Sequence, residues 1–303
     1  MKNKTLFNSL FLIFSITGSF LVLDKPLKAD PNTPACPDPS VEDVSSVGIF
    51  DNDPDTNSFI SRTKALGANG YCYSTPDQYG VKVFKMGFCK QNPGNPTGSS
   101  NREGSEPDYT SCTWSYENAV GENADFEPGG FVDLSGASSI PSAGTYPYAA
   151  MIISNKIRLK GKYGPVGGET HYSITEFDNS STNISDYAVT LAPVTSFAGP
   201  NYCKASIEGT SVSTGTMSAY LINNTGTIIE SEIIPENEDS DRINPCPAER
   251  LLGVVGLPND LTISDATKGL KTTFGVTDAM NVMVEDGKLV IAPNGFSVNF
   301  EAF

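Results

Sequence analysis

Histidine and tryptophan are nearly missing from this chain of 303 residues: His171 is its only histidine and Trp114 its only tryptophan. One imidazole argues against catalytic zinc, which recruits several such ligands. A Ser-His-Asp hydrolase would have to use His171, and no GxSxG turn presents a serine to it. No CxxC pair, no GxxxxGK[ST] phosphate loop and no GxGxxG between a strand and a helix occurs, which argues against zinc ribbons and nucleotide chemistry. No amphipathic helical pattern lasts beyond three turns, and no apolar run after residue 23 is long enough to span a bilayer. A pair of carboxylates brought together by folding leaves no linear trace, so a secreted carboxylate-dependent hydrolase stays as a third functional reading.

Lys2 and Lys4 precede an apolar run from Leu6 to Leu23, which Asn8, Ser9, Ser15, Thr17, Gly18 and Ser19 interrupt. Leu27-Lys28-Ala29 then offers a small residue for cleavage. The pattern is that of an export signal over residues 1–29 rather than of an anchor, with the mature chain starting at Asp30 and exported to the periplasm, the cell surface or beyond. Cleavage would remove Lys2, Lys4, Lys25, Lys28 and Asp24 and take the net charge from −15 to −18. Such a balance repels nucleic acid phosphates and anionic membrane faces.

All six cysteines, Cys36, Cys72, Cys89, Cys112, Cys203 and Cys246, lie beyond the signal, and an even count in an exported chain points to disulfides. Cys89 and Cys112 sit at the edges of two expected strands around a polar loop, which makes them the preferred pair. Cys203 with Cys246, and Cys36 with Cys72, follow by elimination.

Residues 30–45 carry four prolines and little apolar surface and read as a flexible tail. From 46 to 234 short apolar stretches alternate with Gly, Pro and Asn turns. Val47–Phe50 reads as a first short strand. In Tyr79–Cys89 the alternation sets Val81 and Val83 on one face and Phe84, Met86 and Phe88 on the other. Lys90–Thr110 has no apolar periodicity and reads as a solvated insertion pinned by the flanking cysteines. Cys112, Trp114 and Tyr116 share a strand face, with Trp114 in a core role. Ile140 to Tyr146 forms a turn leading into a β segment that ends near Lys160, with Gly144 supplying the turn. Over about ten residues, the scale of one strand and its turn, it resembles the corresponding stretch of transthyretin-like and Cna-B-type surface domains. No functional residue is carried over from that likeness.

Thr170–Phe177, Asp186–Ala192 and Ser211–Ile222 read as strands, and Asn223–Gly226 as the turn of a hairpin between Met217–Ile222 and Thr227–Ile234. An acidic linker at 235–249 leads to a C-terminal β lobe at 250–303. There Asp286-Gly287 predicts a tight hairpin over Asn281–Ala292 with Glu285 opposite Lys288 and Val284 opposite Leu289. A last strand alternates Phe296, Val298 and Phe300 with Ser297, Asn299 and Glu301. The terminal Phe303 is a feature of outer-membrane barrels, yet the alternating positions back from it are Glu301, Asn299 and Ser297, the wrong register for lipid. The expected fold is all-β: an antiparallel β-sandwich, with the smaller C-terminal lobe beside or within it.

Two ligand patterns stand out. Asp51, Asp53, Asp55 and Asn57 place oxygens at every second position, as a calcium loop does, although Thr56 and Arg62 occupy the places where an EF-hand loop has Gly and Glu. Glu236, Glu238, Asp239 and Asp241 form a second acidic group, read as solvated linker. Tyr71, Tyr73, Tyr146 and Tyr148 pair on strand faces, where they either pack a sheet or stack sugars. The reading that follows is a non-enzymatic cell-surface structural or adhesive protein whose copies pair through a tail or terminal strand. The alternative is a glycan- or ligand-binding module.

Overall fold

The computed structural model describes residues 36, 71–98, 103–128, 134, 137–166, 169–177, 179–195, 197, 202–212, 215–233, 246–285 and 288–303. The expected signal, the tail apart from Cys36, Val47–Phe50, the run Asp51–Asn57, the group Glu236–Asp241 and the turn Asp286-Gly287 lie outside them.

The first strands are β1 (Tyr71–Ser74), β2 (Gln78–Cys89), β3 (Cys112–Phe126), β4 (Ala137–Ser138), β5 (Gly144–Ser154) and β6 (Lys156–Lys160). β7 (Lys162–Val166), β8 (Glu169–Ser173), β9 (Ser180–Ser181), β10 (Thr190–Pro193), β11 (Tyr202–Cys203), β12 (Ser206–Val212) and β13 (Gly215–Ile222) follow. The chain continues through β14 (Glu232–Ile233), β15 (Arg250–Ile263), β16 (Leu270–Gly275), β17 (Met280–Glu285), β18 (Lys288–Pro293) and β19 (Ser297–Ala302). These strands form several antiparallel sheets, so the all-β reading holds.

The largest sheet is organised around β2. β3 runs along one side of it, while β5 and β6 lie end to end along the other, β5 against Val83–Cys89 and β6 against Gln78–Gly80. Outside them, β15 pairs with β5 and β10 with β6; β13 and β12 complete the sheet beyond β15. The apolar run Ala149–Ile153 is buried throughout, as a strand covered on both faces must be. Met151 and Ile153 enter one core with Val81, Val83 and Leu159. Ala150 and Ile152 enter another with Tyr220, Ile222 and Leu252.

The first face is covered by two small sheets, β1–β17–β18 and β16–β19, which contribute Met280, Val282, Ile291 and Val298 to its core. The second is covered by the loop after β2, by Ile228 and Ile229, and by two disulfides. Three bridges close, Cys36–Cys72, Cys89–Cys112 and Cys203–Cys246, the pairing reached from strand edges and elimination. Disulfides of this kind belong to an oxidising compartment. No helix among the described residues is long and apolar enough to cross a membrane.

The C-terminal hairpin forms with the expected register, Val284 opposite Leu289 and Glu285 opposite Lys288. Gly144 opens β5, and the buried Tyr146 donates its hydroxyl to the Ser142 carbonyl at 2.8 Å, fixing the turn before the strand.

Other expectations need correction. A bulge between Val83 and Lys85 takes up Phe84, so Val81, Val83, Met86 and Phe88 share one face and Phe84 packs beside the opposite core. Period-two reading cannot foresee the extra residue. Ser211–Ile222 is two strands, β12 and β13, meeting at Val212 opposite Gly215. The return after Asn223–Gly226 makes one bridge, Ile222 with Ile228, because β12 and β15 already occupy both edges of β13. Of Asp186–Ala192, Ile184–Asp186 is a 3₁₀ turn and only Thr190–Pro193 is strand. Arg250–Ile263 lies inside the central sheet between β5 and β13, and the strands after it cover that sheet, so residues 250–303 are not set apart as a lobe.

Lys90–Thr110 is not simply solvated. Pro93, Gly94 and Pro107 are buried, the Asn92 amide donates to the Tyr220 hydroxyl, and Ile228 bonds the loop's backbone twice, accepting from the Gly104 N–H and donating to the Ser105 carbonyl. A Cβ on Gly94 would collide with the ring of Tyr220, so glycine is what lets the backbone lie against the core there.

Candidate functional site

Three surface features have the shape or chemistry of a site. The first is an apolar cleft of about 280 Å³ where the C-terminal sheets stop short of β15 and β13. Met217, Ala219, Leu251, Gly253 and Val255 form its floor, and Phe296, Val298 and Phe300 its wall. Tyr79 donates its hydroxyl to the Asn294 carbonyl at 2.7 Å and fastens the turn at the cleft's rim. Burial away from water drives that phenol's pKa far above its ordinary value. Gly253 keeps the floor deep, since a side chain there would meet only Leu251 and the Met151 carbonyl at van der Waals distance. The volume lies just below the usual range of about 300–1,000 Å³ for small-molecule pockets.

The second is a groove of about 420 Å³ between β16 and the β3–β4 pair, floored by Met86, Tyr116, Phe126 and Phe274. Its β16 side is a strand edge. Gly269 and Phe303 exchange both of their backbone hydrogen bonds at 3.1 Å, so ladder alternation through the register Leu270–Ala302 to Gly275–Ser297 directs the N–H groups of Leu270, Thr272 and Phe274 away from β19. Among the described residues β16 has no partner on that side.

The third is a cationic stretch on the second face of the central sheet. Ile157 and Leu159 are buried in the first core, so Lys156, Arg158 and Lys160 project to the other side. Lys82, Lys85 and Arg250 join them. The Arg250 guanidinium lies 4.1 Å from the centre of the Phe84 ring with Lys82 at 5.7 Å, Lys85 lies 5.3 Å from the Trp114 ring, and Lys160 lies 4.4 Å from the Tyr187 ring. Arg158 holds Asp125 at 2.7 Å and bonds Asn123, and Lys85 pairs with Glu117 at 2.7 Å.

The sequence-derived site residues fall as follows. Asp51, Asp53, Asp55 and Asn57 are not among the described residues. Among those that are, no three His, Cys, Asp or Glu side chains gather as a metal site needs. Tyr73 and Tyr146 are 3% and 1% exposed and Tyr148 is half-buried, so the first two cannot stack a sugar. Trp114 is half-buried, edge-on to Tyr109 at 5.5 Å. His171 sits on β8, where partial burial lowers its pKa and Glu169 works against that shift. β19, the expected free terminal strand, pairs with β16 and buries Val298. Cys36 in the N-terminal segment is fixed by its bridge to Cys72 and by donating to the Tyr73 carbonyl at 2.6 Å.

Sequence reasoning missed all three features. The lysines of β6 did alternate with Ile157 and Leu159, a visible signal that a chain of net −15 obscured. Compared with protein families, curated proteins and solved structures, the chain matches none of them.

Proposed function

We propose that this is an exported, non-enzymatic structural protein whose copies join by strand addition. The observation that carries the reading is the unpartnered edge of β16 beside an apolar-floored groove. An extended segment laid there would satisfy the backbone groups of Leu270, Thr272 and Phe274 while alternate side chains enter the groove, the requirements of β-augmentation. Further support comes from the three bridges, which suit a body that must persist outside the cytosol. Buried polar groups act as fasteners. Ser173, fully buried, accepts from the Gly161 N–H and donates to the Ala188 carbonyl.

Thr272→Pro tests this directly, because it deletes an outward N–H and leaves the ladder to β19 intact. Sedimentation velocity and negative-stain microscopy should show assemblies for the wild type and monomers for the variant, with equal melting temperatures. A wild type that stays monomeric across salt and calcium concentrations, or a variant that assembles equally well, ends the proposal.

The apolar cleft supports a second reading, a small-molecule binding module for an apolar ligand. A solvatochromic apolar dye should bind saturably, one per chain, and Gly253→Leu should abolish it by filling the floor. Absence of saturable binding in the wild type removes this reading.

A further inference from the structure

We propose that the cationic face of β2, β6 and the start of β15 is an attachment surface for a linear anionic polysaccharide, an activity separate from strand addition. Six cations, Lys82, Lys85, Lys156, Arg158, Lys160 and Arg250, share this face with two carboxylates, Asp125 and Glu117. Asp77, which accepts from Tyr187, and Glu249, next to Arg250 in the chain, lie at its margins.

Among the described residues, Lys82, Lys156, Lys160 and Arg250 have no carboxylate within salt-bridge distance. Three of the four lie against aromatic rings instead. A ring holds a cation in place without neutralising it, so the charge stays available to a partner. Sheet geometry then spaces the charges: two-residue steps along β6 separate Lys156, Arg158 and Lys160 by roughly 6.6 Å each, and β2 lies about 4.8 Å to the side. A row of cations stepping evenly along β6, flanked by those of β2, complements a polymer bearing anions along its length.

The net charge of −15 does not forbid this. At physiological ionic strength the Debye length is about 8 Å, so a polymer lying on the face responds to the cations beneath it rather than to acids elsewhere. Arg158 is already held by Asp125 and Asn123, so Arg250 is the guanidinium that can engage a carboxylate or sulfate through two N–H donors, and Lys156, exposed at the strand end, meets the polymer as a point charge.

The test measures retention of the full-length mature protein on immobilised polygalacturonate and on dextran sulfate, with neutral dextran as control, over a salt series. Wild type should be retained on both polyanions and released by about 1 M salt, where the Debye length falls to about 3 Å. Lys156→Glu with Lys160→Glu should weaken binding at least tenfold and flatten the slope of log K against log salt by about one for each contact removed. Lys204→Glu with Lys268→Glu, exposed cations outside both this face and β16, should leave both unchanged. The idea fails if wild type passes through both polyanion columns, if neutral dextran retains it equally, or if the control pair weakens retention as much as the β6 pair. It also fails if the face binds only nucleic acid, or if sedimentation shows that it holds a second copy of the chain instead. None of these results depends on strand addition, which Thr272→Pro reads separately.

Discussion

Asn155 stands where β5 becomes β6 and where their outer partner changes from β15 to β10, and it is 3% exposed. Its side-chain amide donates to the Val194 carbonyl at 3.2 Å and the Ala248 carbonyl at 2.9 Å. Its backbone donates to the Glu249 carbonyl and accepts from the Val194 N–H. The side chain therefore ties together the two segments that diverge at the break. Asn155→Ala removes both side-chain bonds and leaves two carbonyls short of a donor. Val194 and Ala248 are themselves only half-buried, so each loss belongs in the lower part of the usual range, about 1–2 kcal/mol, and the pair costs about 2–4 kcal/mol. Guanidinium unfolding should show this as a lower midpoint with an unchanged slope. Asn155→Asp adds a pH signature. An acid buried against two carbonyl oxygens has a folded-state pKa above its unfolded value of about 3.9. Its protonated form, which can still donate once, is favoured by the fold, so stability is greatest below pH ~3.9 and falls as the pH rises through the folded value. Relative to Asn155→Ala, the Asp variant should be the more stable at acid pH and the less stable at pH 7. A loss below about 1 kcal/mol for Ala, or a constant difference between the variants across pH, would refute the clamp.

Paired cysteine-to-serine substitutions should destabilise in the order of loop length. The chain-entropy estimate gives about 4.0 kcal/mol for Cys203–Cys246, with 43 residues between ends, and about 3.4 kcal/mol for Cys89–Cys112, with 23; denaturant titration giving under 1 kcal/mol for either would show that the bridge does not constrain the unfolded chain as assumed. Tyr109 and Tyr220 are pushed up to about 12, in both cases mainly by burial. Raised phenol pKa values favour the neutral form in the folded state, so their contribution is complete below pH ~10 and is lost on rising towards 12. Ultraviolet titration should therefore show their phenolate absorbance emerging together with alkaline unfolding, and ionisation near pH 10 in the folded protein would contradict it.

What was legible in the sequence was whatever short-range chemistry decides. Asp286-Gly287 between Val284 and Leu289 specifies a hairpin register by turn preference and alternation alone, and β17 and β18 adopt it. The cysteine pairing was within reach because two strand ends and one polar loop left few sensible choices. Long-range competition was not legible. Nothing local in Thr227–Ile234 reveals that β12 and β15 will have taken both edges of β13, and nothing in Asn155 distinguishes a clamp from a surface amide. The loop Lys90–Thr110 misled because polarity is a poor guide to burial when the buried groups are backbone: Gly94 lies against Tyr220 through the absence of a side chain, and the loop's amides and carbonyls find their partners in Asn92, Ile228 and Asp108. The candidate surfaces escaped for a related reason. An open strand edge is a property of the sheet, because Thr272 offers its N–H outward only once β19 has claimed the other side of β16. The cationic face likewise exists only once β2 has paired with β6 and, through β5, been joined to β15, bringing Lys82, Lys160 and Arg250 onto one face from three separate parts of an acidic chain.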